Sequence, residues 1–550
     1  MKRISLITLL LMFAHTSYSQ SWLWGKAGYG SLKANDFGSS VATDKHGNAF
    51  ITGQYENSIL FNPFTLNDLV DEPYLVKYDA NGNVLWTVQG TGSLNDCFGV
   101  SVTTDTNSNV YITGSFTGTI TFGSYTLSEP HMGGYDVYTV KYDASGNVLW
   151  AQQSVASSGS VFSQGYSVAT DKTGNVFVAG SFTDSISFGG ILLKGILSYS
   201  AQSTNAFLVK YDASGNVLWA QQSVVPSSAS IGVGYGVATD KMGNAFITGV
   251  FADTISFGGI LLKGPQIIGA EYCAFLVKYD ATGNALWAKQ SISSSGYPAS
   301  TYSYGVTTDK ADNVYITGYY SGGTDFGPYT LTSNSYDEYF LVKYSATGKE
   351  LWAEQTNNAN DGASNSISSD AKGHLYLTFQ GAGSTIQFGG HTYNSISVNT
   401  TTTYISELDT NGKVSCGSAL NGPYYSSYGN GVASDSTGKY IYAAGVMYGD
   451  TLQCGPDIVL PDGGTDPYVA RWQSCCKASP LKVNGDTIVL SGTTTTLTAS
   501  GATSYVWLPS SGVSCSTCPN TTITPTVNST YTVIGTDSNG CETSHIISVD

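Results

Sequence analysis

The residues whose spacing is most regular and whose chemistry is clearest are carboxylates in a repeated D-x-x-G-N turn. The clearest pairs are Asp79/Asn83, Asp143/Asn147, Asp212/Asn216 and Asp280/Asn284. Each pair places carboxylate and amide oxygens in a tight loop, and oxygens of this kind are calcium ligands. An Asp that opens a turn also accepts hydrogen bonds from the turn backbone, while the Gly takes a positive φ. Because an equivalent turn has Ser345 and no bidentate Glu follows, we expect turn caps and no cofactor, with calcium as the alternative.

Two further residue types recur in register with these turns. The lysines of a V-K-Y motif are Lys77, Lys141, Lys210, Lys278 and Lys343. The tryptophans that follow each turn are Trp86, Trp150, Trp219, Trp287 and Trp352. We expect the lysines to point outward and to be solvated beside acidic turn residues, instead of forming a basic ring for a ligand. We expect the tryptophans to pack between neighbouring units, since buried Trp dominates such contacts.

The sequence contains few residues whose type and spacing suit catalysis. The six histidines are His15, His46, His131, His374, His391 and His545, and none stands in an H-E-x-x-H motif. The sequence has no G-x-S-x-G motif, and no carboxylates stand out as an acid/base pair. The sequence therefore predicts a protein that is not an enzyme. The alternative is an extracellular enzyme acting on polysaccharide, a glycoside hydrolase or lyase, whose two carboxylates come from different repeats.

Tyrosines in the variable stretches between repeats are the candidate ligand-binding residues. Tyr297 and Tyr302 precede the fifth repeat, and Tyr424, Tyr425 and Tyr428 precede the seventh. Tyrosine offers a flat apolar ring and a hydroxyl, which suit sugar faces and peptide backbones. The alternative is that these rings only cover the ends of the sheets.

The nine cysteines are too few for a disulfide framework in a chain of this length. The C-x-x-C pair Cys515 and Cys518 predicts a small disulfide, with free thiols or a metal ligand pair as alternatives. Four sites with the pattern Asp, Ser/Thr, apolar residue resemble bacterial periplasmic O-glycosylation sites: Ser185, Thr254, Thr451 and Thr487. Chance occurrence in a Ser/Thr-rich chain is the alternative.

Composition indicates which elements hold these residues. Of 550 residues, 64 are Gly and 38 Tyr, only 5 are Met, and charged residues make up 11%. This composition disfavours helices and favours strands joined by turns, so we expect an all-β protein. The net charge of −16, without a cluster of Lys and Arg beyond the N-terminus, argues against nucleic acid as a partner.

The first 19 residues have the pattern of a signal peptide. Lys2 and Arg3 precede an apolar stretch over residues 4–13, and a small-x-small site ends at Ser19. Ten apolar residues are too few to span a bilayer of about 30 Å. We therefore expect cleavage near Ser19, no membrane insertion of the mature chain, and a secreted or outer-surface location.

Internal repetition organises the rest of the chain. Segments such as GYSVATD and GYGVATD end at Asp44, Asp105, Asp171, Asp240, Asp309, Asp370 and Asp435, at intervals of 61 to 69 residues. Each repeat has four alternating runs separated by turn signals, which predicts a four-stranded antiparallel sheet. Units of this kind must stack to cover their apolar faces, as the blades of a β-propeller do.

The number of strands predicts how the ring closes. Seven first, second and third strands are present, but only six fourth strands lie between them. The segment SWLWGKA at residues 21–27 is similar to the fourth-strand motif VLWAQQ. We therefore predict a seven-bladed β-propeller over residues 20–474, closed by an N-terminal strand that leaves no unpaired edge.

The repeat GVATD…GNAFITG…FLVKYDASGNVLWA resembles the SBBP-type bacterial β-propeller repeat and is similar in strand order to NHL repeats. The sixth unit departs most, because Phe379 replaces the usual Gly and Cys416 takes the Trp position. After a linker at 475–480, residues 481–550 resemble the Ig-like or PKD-like sandwiches of secreted bacterial surface proteins. In such proteins a type IX secretion sorting domain commonly follows.

These patterns predict an exported, non-catalytic binding or adhesion protein. Its partner would be an extracellular glycan or protein, contacted by the propeller face that carries the variable loops. The short, uniform turns would lie together on the opposite face.

Overall fold

The computed structural model consists of antiparallel strands in two units, Ser21–Gln473 and a second that contains Ser474–Asp550. It describes residues 22–549 apart from 31–33, 94–96, 132, 159–160, 197–202, 227–229, 265–270, 295–298, 334–336, 360–365, 383–384, 395–400, 421–425, 450, 455–456, 461–463, 475–480, 486–487, 511 and 537–541. The predicted signal peptide (1–19) and linker (475–480) therefore lie outside the described residues. No helix in the described part of the chain is long and apolar enough to cross a membrane.

The described residues of the larger unit form seven sets of four strands, here sheets 1 to 7, each with its strands side by side in the order first to fourth. Two of these sets are parts of six-stranded sheets. The first strands are Phe37–Thr43, Phe98–Thr104, Ser163–Thr170, Ile231–Thr239, Thr301–Thr308, Ser366–Ser369 and Ser427–Ser434. The second strands are Ala49–Tyr55, Val110–Phe116, Val176–Phe182, Ala245–Ala252, Val314–Tyr320, Leu375–Gly381 and Tyr440–Tyr448. The third strands are Glu72–Tyr78, Asp136–Tyr142, Asn205–Tyr211, Cys273–Tyr279, Glu338–Tyr344, Thr402–Leu408 and Thr465–Gln473. The fourth strands are Val84–Gln89, Val148–Ala156, Val217–Val224, Ala285–Gln290, Glu350–Gln355, Val414–Leu420 and, for sheet 7, Trp22–Ala27.

A short hairpin joins the second and third strands of every sheet. Its strand pairs are Ser58–Phe61 and Phe64–Asn67, Thr119–Phe122 and Tyr125–Ser128, Ser185–Phe188 and Ile191–Lys194, Thr254–Phe257 and Ile260–Lys263, Gly323–Phe326 and Tyr329–Thr332, Thr385–Phe388 and His391–Asn394, and Leu452–Cys454 and Asp457–Val459. Three two-residue strands, Tyr29–Gly30, Thr91–Gly92 and Ile292–Ser293, pair with the hairpins of sheets 1, 2 and 5. In sheets 2 and 3 the fourth strand itself extends to pair with the hairpin of the following sheet.

The strand Trp22–Ala27 and the strand that it pairs with are more than 400 residues apart in the sequence. It pairs antiparallel with Thr465–Gln473, with Trp24 opposite Arg471 and Ala27 opposite Tyr468. Its ladder position is that of the fourth strand in the other sheets, where Trp150 lies opposite Lys141. The first and last strands of this unit thus belong to one sheet.

Successive sheets are joined by a repeated pair of hydrogen bonds to one carbonyl. Lys141 Nζ and Trp150 Nε1 of sheet 2 both donate to the Ala213 carbonyl in the turn between the third and fourth strands of sheet 3, at 2.9 and 3.2 Å. The same double contact reaches Ala144 from Lys77 and Trp86, Ala281 from Lys210 and Trp219, and Thr410 from Lys343 and Trp352. Arg471 and Trp24 of sheet 7 reach the Ala80 carbonyl of sheet 1 in the same way. We call this arrangement the inter-sheet latch.

The prediction that the repeated lysines point outward into solvent is wrong. Their exposure is only 5–8%: Lys77, Lys141, Lys210, Lys278 and Lys343. The ammonium groups lie over the aromatic ring of the second strand, as Lys210 does over Phe177 at 4.9 Å. They also face the Asp that ends the first strand, and Lys278 Nζ lies 3.1 Å from Asp240 Oδ2. A buried ammonium needs such partners, and the latch carbonyl is one of them.

The D-x-x-G-N turns that carry the latch carbonyl are closed by their own Asp. Asp212 Oδ1 accepts the backbone N–H groups of Ser214 and Asn216, and Oδ2 accepts the Asn216 amide. The Asn216 side chain holds the pKa of Asp212 below its usual range. Ser345 Oγ accepts the Lys349 N–H at 3.0 Å, which explains why Ser can replace Asp. These carboxylates act as turn caps.

The turn glycine also makes room for the tryptophan of the preceding sheet. Gly215 has φ +88°, and a Cβ there would lie 2.9 Å from Trp150 Cδ2. Gly190, in a hairpin turn, has a similar φ of +86° with no atom within 4 Å of its Cβ position. The two glycines therefore share a conformation and differ in their surroundings.

Gly215→Ala is expected to destabilise the protein by about 1 kcal/mol more than Gly190→Ala, and by up to about 3 kcal/mol more if Trp150 cannot shift. Both variants carry the cost of a positive φ, so Gly190→Ala is the matched control. Urea unfolding of the two variants gives the comparison. If both variants lost the same free energy of unfolding, the Trp150 contact would not be a reason for glycine at position 215.

The second unit contains two three-stranded antiparallel sheets. One is formed by Lys482–Asn484, Thr495–Ser500 and Asn520–Ile523, the other by Ser504–Leu508, Ser529–Thr536 and Glu542–Val549. Both sheets contribute to one core, in which Leu497, Trp507 and Val533 are fully buried. Alternation of apolar and polar residues along each strand accounts for this arrangement.

Candidate functional site

The first strands of all seven sheets line a single cavity of about 820 Å³. Its described lining consists of Ser, Thr, Val, Ala, Gly, Ile, Tyr and one Asn, and none of these residues carries a charge at neutral pH. Small residues such as Val and Ala allow seven strands to approach one another here. The cavity therefore presents hydroxyl and peptide groups in a neutral setting.

One end of the cavity is fixed by a series of hydroxyl contacts between neighbouring first strands. Each hydroxyl donates to the backbone carbonyl at the matching position of the preceding strand: Thr104 to Thr43, Thr170 to Thr104, Thr239 to Thr170, Thr308 to Thr239 and Ser369 to Thr308. Thr43 donates to Ser434 of sheet 7 at 2.6 Å. These contacts set the spacing of the strands around the cavity.

At the other end, six of the first strands, as far as the structure describes them, have a β-bulge at the same position. The bulged residues are Ser39, Val100, Tyr166, Tyr235, Tyr304 and Asn430, and all of them line the cavity. A bulge removes one residue from the ladder and changes the direction of its side chain. Three consecutive sheets place a tyrosine there, and the bulged residues of sheets 1, 2 and 7 are smaller.

These three tyrosines form a continuous aromatic wall on one side of the cavity. The ring centroids of Tyr166 and Tyr235 are 5.0 Å apart, and those of Tyr235 and Tyr304 are 4.8 Å apart. Tyr304 continues to Tyr319 at 5.9 Å, and Tyr302 stacks on Tyr319 at 4.9 Å. We define Tyr166, Tyr235 and Tyr304 as the tyrosine wall. All three rings are half-buried.

Sequence reasoning found Tyr302 beside this wall but missed the wall itself. Its signal is a tyrosine at one position of three consecutive repeats, in G-Y-S-V, G-Y-G-V and S-Y-G-V. The wall was missed because strand alternation alone does not reveal a bulge.

The predicted loop positions of Tyr302 and Tyr428 are wrong, because both residues lie within first strands. Tyr302 pairs with Tyr319, and Tyr428 pairs with Val446, since the ladder continues past the bulge towards this end of the cavity. Tyr428 packs edge-on against Tyr448, with the two ring centroids 5.4 Å apart. Tyr297, Tyr424 and Tyr425 lie outside the described residues.

The other predicted sites are spread over the molecule. Ser185 and Thr254 begin equivalent hairpin strands of sheets 3 and 4 and are half-buried, as is Thr451 near the hairpin of sheet 7. Thr487 lies outside the described residues. Cys515 and Cys518 form a disulfide in the second unit, with a Cα–Cα distance of 5.6 Å.

Buried carboxylates occupy the start of the third strand in four sheets: Glu72, Asp136, Glu338 and Asp466. They accept backbone N–H groups of the segment that enters the next first strand, as Glu338 does from Asn358 at 2.7 Å and Ala359 at 3.2 Å. Burial raises the pKa of Glu72 to about 8 and that of Asp136 to about 7. None of the four lines the cavity.

Comparisons with known proteins add to this geometry. The SBBP β-propeller repeat family matches residues 286–327, which run from the fourth strand of sheet 4 to the hairpin of sheet 5. A curated relative, the uncharacterized WD repeat-containing protein L264 of Acanthamoeba polyphaga mimivirus, is 28% identical over 399 residues. The chain therefore contains β-propeller-type repeats. The alignment covers 59% of this chain and 28% of the relative, so the chain spans less than a third of that protein's length.

Two of the solved structures that are similar to this chain come from bacteria. A protein of unknown function from Dyadobacter fermentans shares 9% identity with a TM-score of 0.36, covering 82% of this chain and 98% of its own. A protein of unknown function from Bacteroides caccae shares 11% identity with a TM-score of 0.28, covering 57% of this chain and 80% of its own.

Because the pKa of Glu72 is raised in the folded state, we expect the protein to become less stable as the pH rises. In the folded state Glu72 is a neutral acid. The stability that this protonation provides is fully present below the ordinary pKa of 4.5 and is lost as the pH rises through about 8. The free energy of unfolding should therefore fall by the order of a few kcal/mol between pH 4.5 and 8.5. Urea midpoints across this range measure the fall, and Glu72→Gln should reduce it. If stability fell with pH as steeply in that variant as in the wild type, Glu72 would not be the group responsible.

Proposed function

We propose that this protein is exported and serves as a non-catalytic binding or adhesion protein, secreted or held at the outer surface of a bacterium. The observation that carries the proposal is the tyrosine wall, built on bulges at one end of a rigid, neutral cavity. Aromatic rings on a preorganised scaffold bind ligands at small entropic cost. The partner would be an extracellular glycan or protein.

The proposal includes a particular architecture. The seven sheets are the blades of one propeller, and Trp22–Ala27 closes it as the fourth strand of the seventh blade. The contacts of Trp24 and Arg471 with Ala80, and of Thr43 with Ser434, support closure, because they repeat between sheets 7 and 1 what other neighbours make. The two-sheet unit at 481–550 would be an Ig-like module that acts as a spacer. The net charge of −16 supports the exclusion of nucleic acid.

Trp24→Ala tests closure, with Trp150→Ala as the matched control. Both side chains are 6–7% exposed and donate to a turn carbonyl of the next sheet. If the N-terminal strand closes the ring, each variant should lose about 3–5 kcal/mol of stability, measured by urea unfolding. A Trp24→Ala variant that unfolds like the wild type would show that the strand is only an appended tail. Deletion of residues 21–28 should lower the melting temperature by many degrees and increase aggregation.

The binding function is tested on an array of neutral glycans, charged glycans and extracellular matrix proteins, probed with the mature protein. Retention of at least one class without release of fragments supports the proposal. Release of oligosaccharide products favours the alternative, an extracellular enzyme acting on polysaccharide. No retention of any class would overturn the binding function.

A further inference from the structure

We infer that the cavity end bounded by the tyrosine wall binds a neutral saccharide, with sugar ring faces against the tyrosines and sugar hydroxyls bonded to the hydroxyl and peptide groups of the cavity. This inference rests on the proposed binding function and names its ligand class. It joins three observations: the asymmetric set of bulges, the neutral lining and the size of the cavity.

The bulges make the cavity end two-sided. Tyr166, Tyr235 and Tyr304 occupy three adjacent bulges, and Ser39, Val100 and Asn430 occupy the bulges of sheets 1, 2 and 7. A flat molecule with an apolar face can therefore lie against one side and present polar edges to the other. A pyranose ring has this shape, with C–H groups on its faces and hydroxyls at its rim.

The lining of the cavity disfavours charged ligands. The described residues that line the cavity provide no cationic or anionic side chain that could pair with a charged ligand. A charged group that enters such a site loses its hydration without a compensating partner. The protein's net charge of −16 also repels anionic polysaccharides at a distance. A ligand rich in hydroxyls and free of charge avoids both costs.

The polar groups at the cavity suit hydroxyl ligands. Ser39 and Asn430 line the same end of the cavity as the tyrosine wall and add a hydroxyl and an amide group to it. Burial raises the pKa of Tyr235, so its hydroxyl stays protonated and can donate as well as accept. The volume of about 820 Å³ falls within the range of roughly 300–1,000 Å³ that small-ligand sites occupy.

The test uses calorimetry of the mature protein with hexasaccharides of defined charge. The neutral probes are cellohexaose, laminarihexaose, xylohexaose and mannohexaose, and the charged probes are hexagalacturonate and chitosan hexamer. At least one neutral probe should bind, and Tyr235→Ala should weaken its affinity by about tenfold or more. Tyr125→Ala is the matched control, since Tyr125 is an exposed hairpin residue outside the cavity lining, and it should bind like the wild type.

Two conservative variants keep the test decisive if Tyr235→Ala fails to fold. Tyr235→Leu retains apolar volume but has no aromatic face, so it should also lose affinity. Tyr235→Phe keeps the ring and should retain most of the affinity. Binding of neutral probes that is unaffected in the folded leucine variant would overturn the inference.

The outcomes separate this inference from the proposed function. Binding of none of the neutral probes, while charged glycans or matrix proteins are retained on the array, would overturn the neutral-saccharide inference and leave the binding function standing. Retention of no class on the array would overturn the binding function itself.

Discussion

The arrangement of sheets depends on one backbone carbonyl in each turn between third and fourth strands. In sheets 1 to 4 and 6, that carbonyl accepts a hydrogen bond from a cation and another from a Trp indole of the preceding sheet. Hydrogen bonds to charged groups contribute about 1.5–3 kcal/mol each, and their loss would remove one of the few partners of a buried cation. The turn must therefore keep its shape, which explains why an Asp or Ser cap and a Gly recur there.

In sheet 5 the Ala346 carbonyl accepts a hydrogen bond from Lys278 alone among the described residues. Sheet 6 provides neither donor, and its departure follows from the same constraint. Its third and fourth strands carry Glu407 and Cys416, paired opposite each other as Lys343 and Trp352 are in sheet 5. A latch from sheet 6 would need a turn between the third and fourth strands of sheet 7. That sheet takes its fourth strand from the N-terminus, so no such turn exists in the chain. With no acceptor to reach, the two donors are absent, and Cys416 takes part in a disulfide instead.

Much of the fold was predictable because its determinants are local and repeated. The four runs per repeat, the turn caps and the similarity of SWLWGKA to a fourth strand are visible in the sequence. The burial of Lys141 was not, because its partners are the Ala213 carbonyl of another sheet and an aromatic ring of its own. The bulges at Tyr166 and Tyr235 were also hidden, since the small residues of the first strands alternate too weakly in polarity to show where one extra residue enters. Periodicity therefore predicts ladders better than it predicts where a ladder is interrupted.

Two kinds of repeated position differ in how much their residue types vary. The latch residues and the Thr hydroxyls that link first strands are nearly uniform, because each must fit both its own sheet and the next. The bulged position is released from the ladder, so residues as different as Ser39, Tyr235 and Asn430 are accommodated there with the same backbone. A change at this position alters the cavity end without touching the latch. The fold can therefore vary the lining of this cavity end at one residue in each of the six bulged strands that the structure describes, while the contacts that hold the sheets together stay fixed.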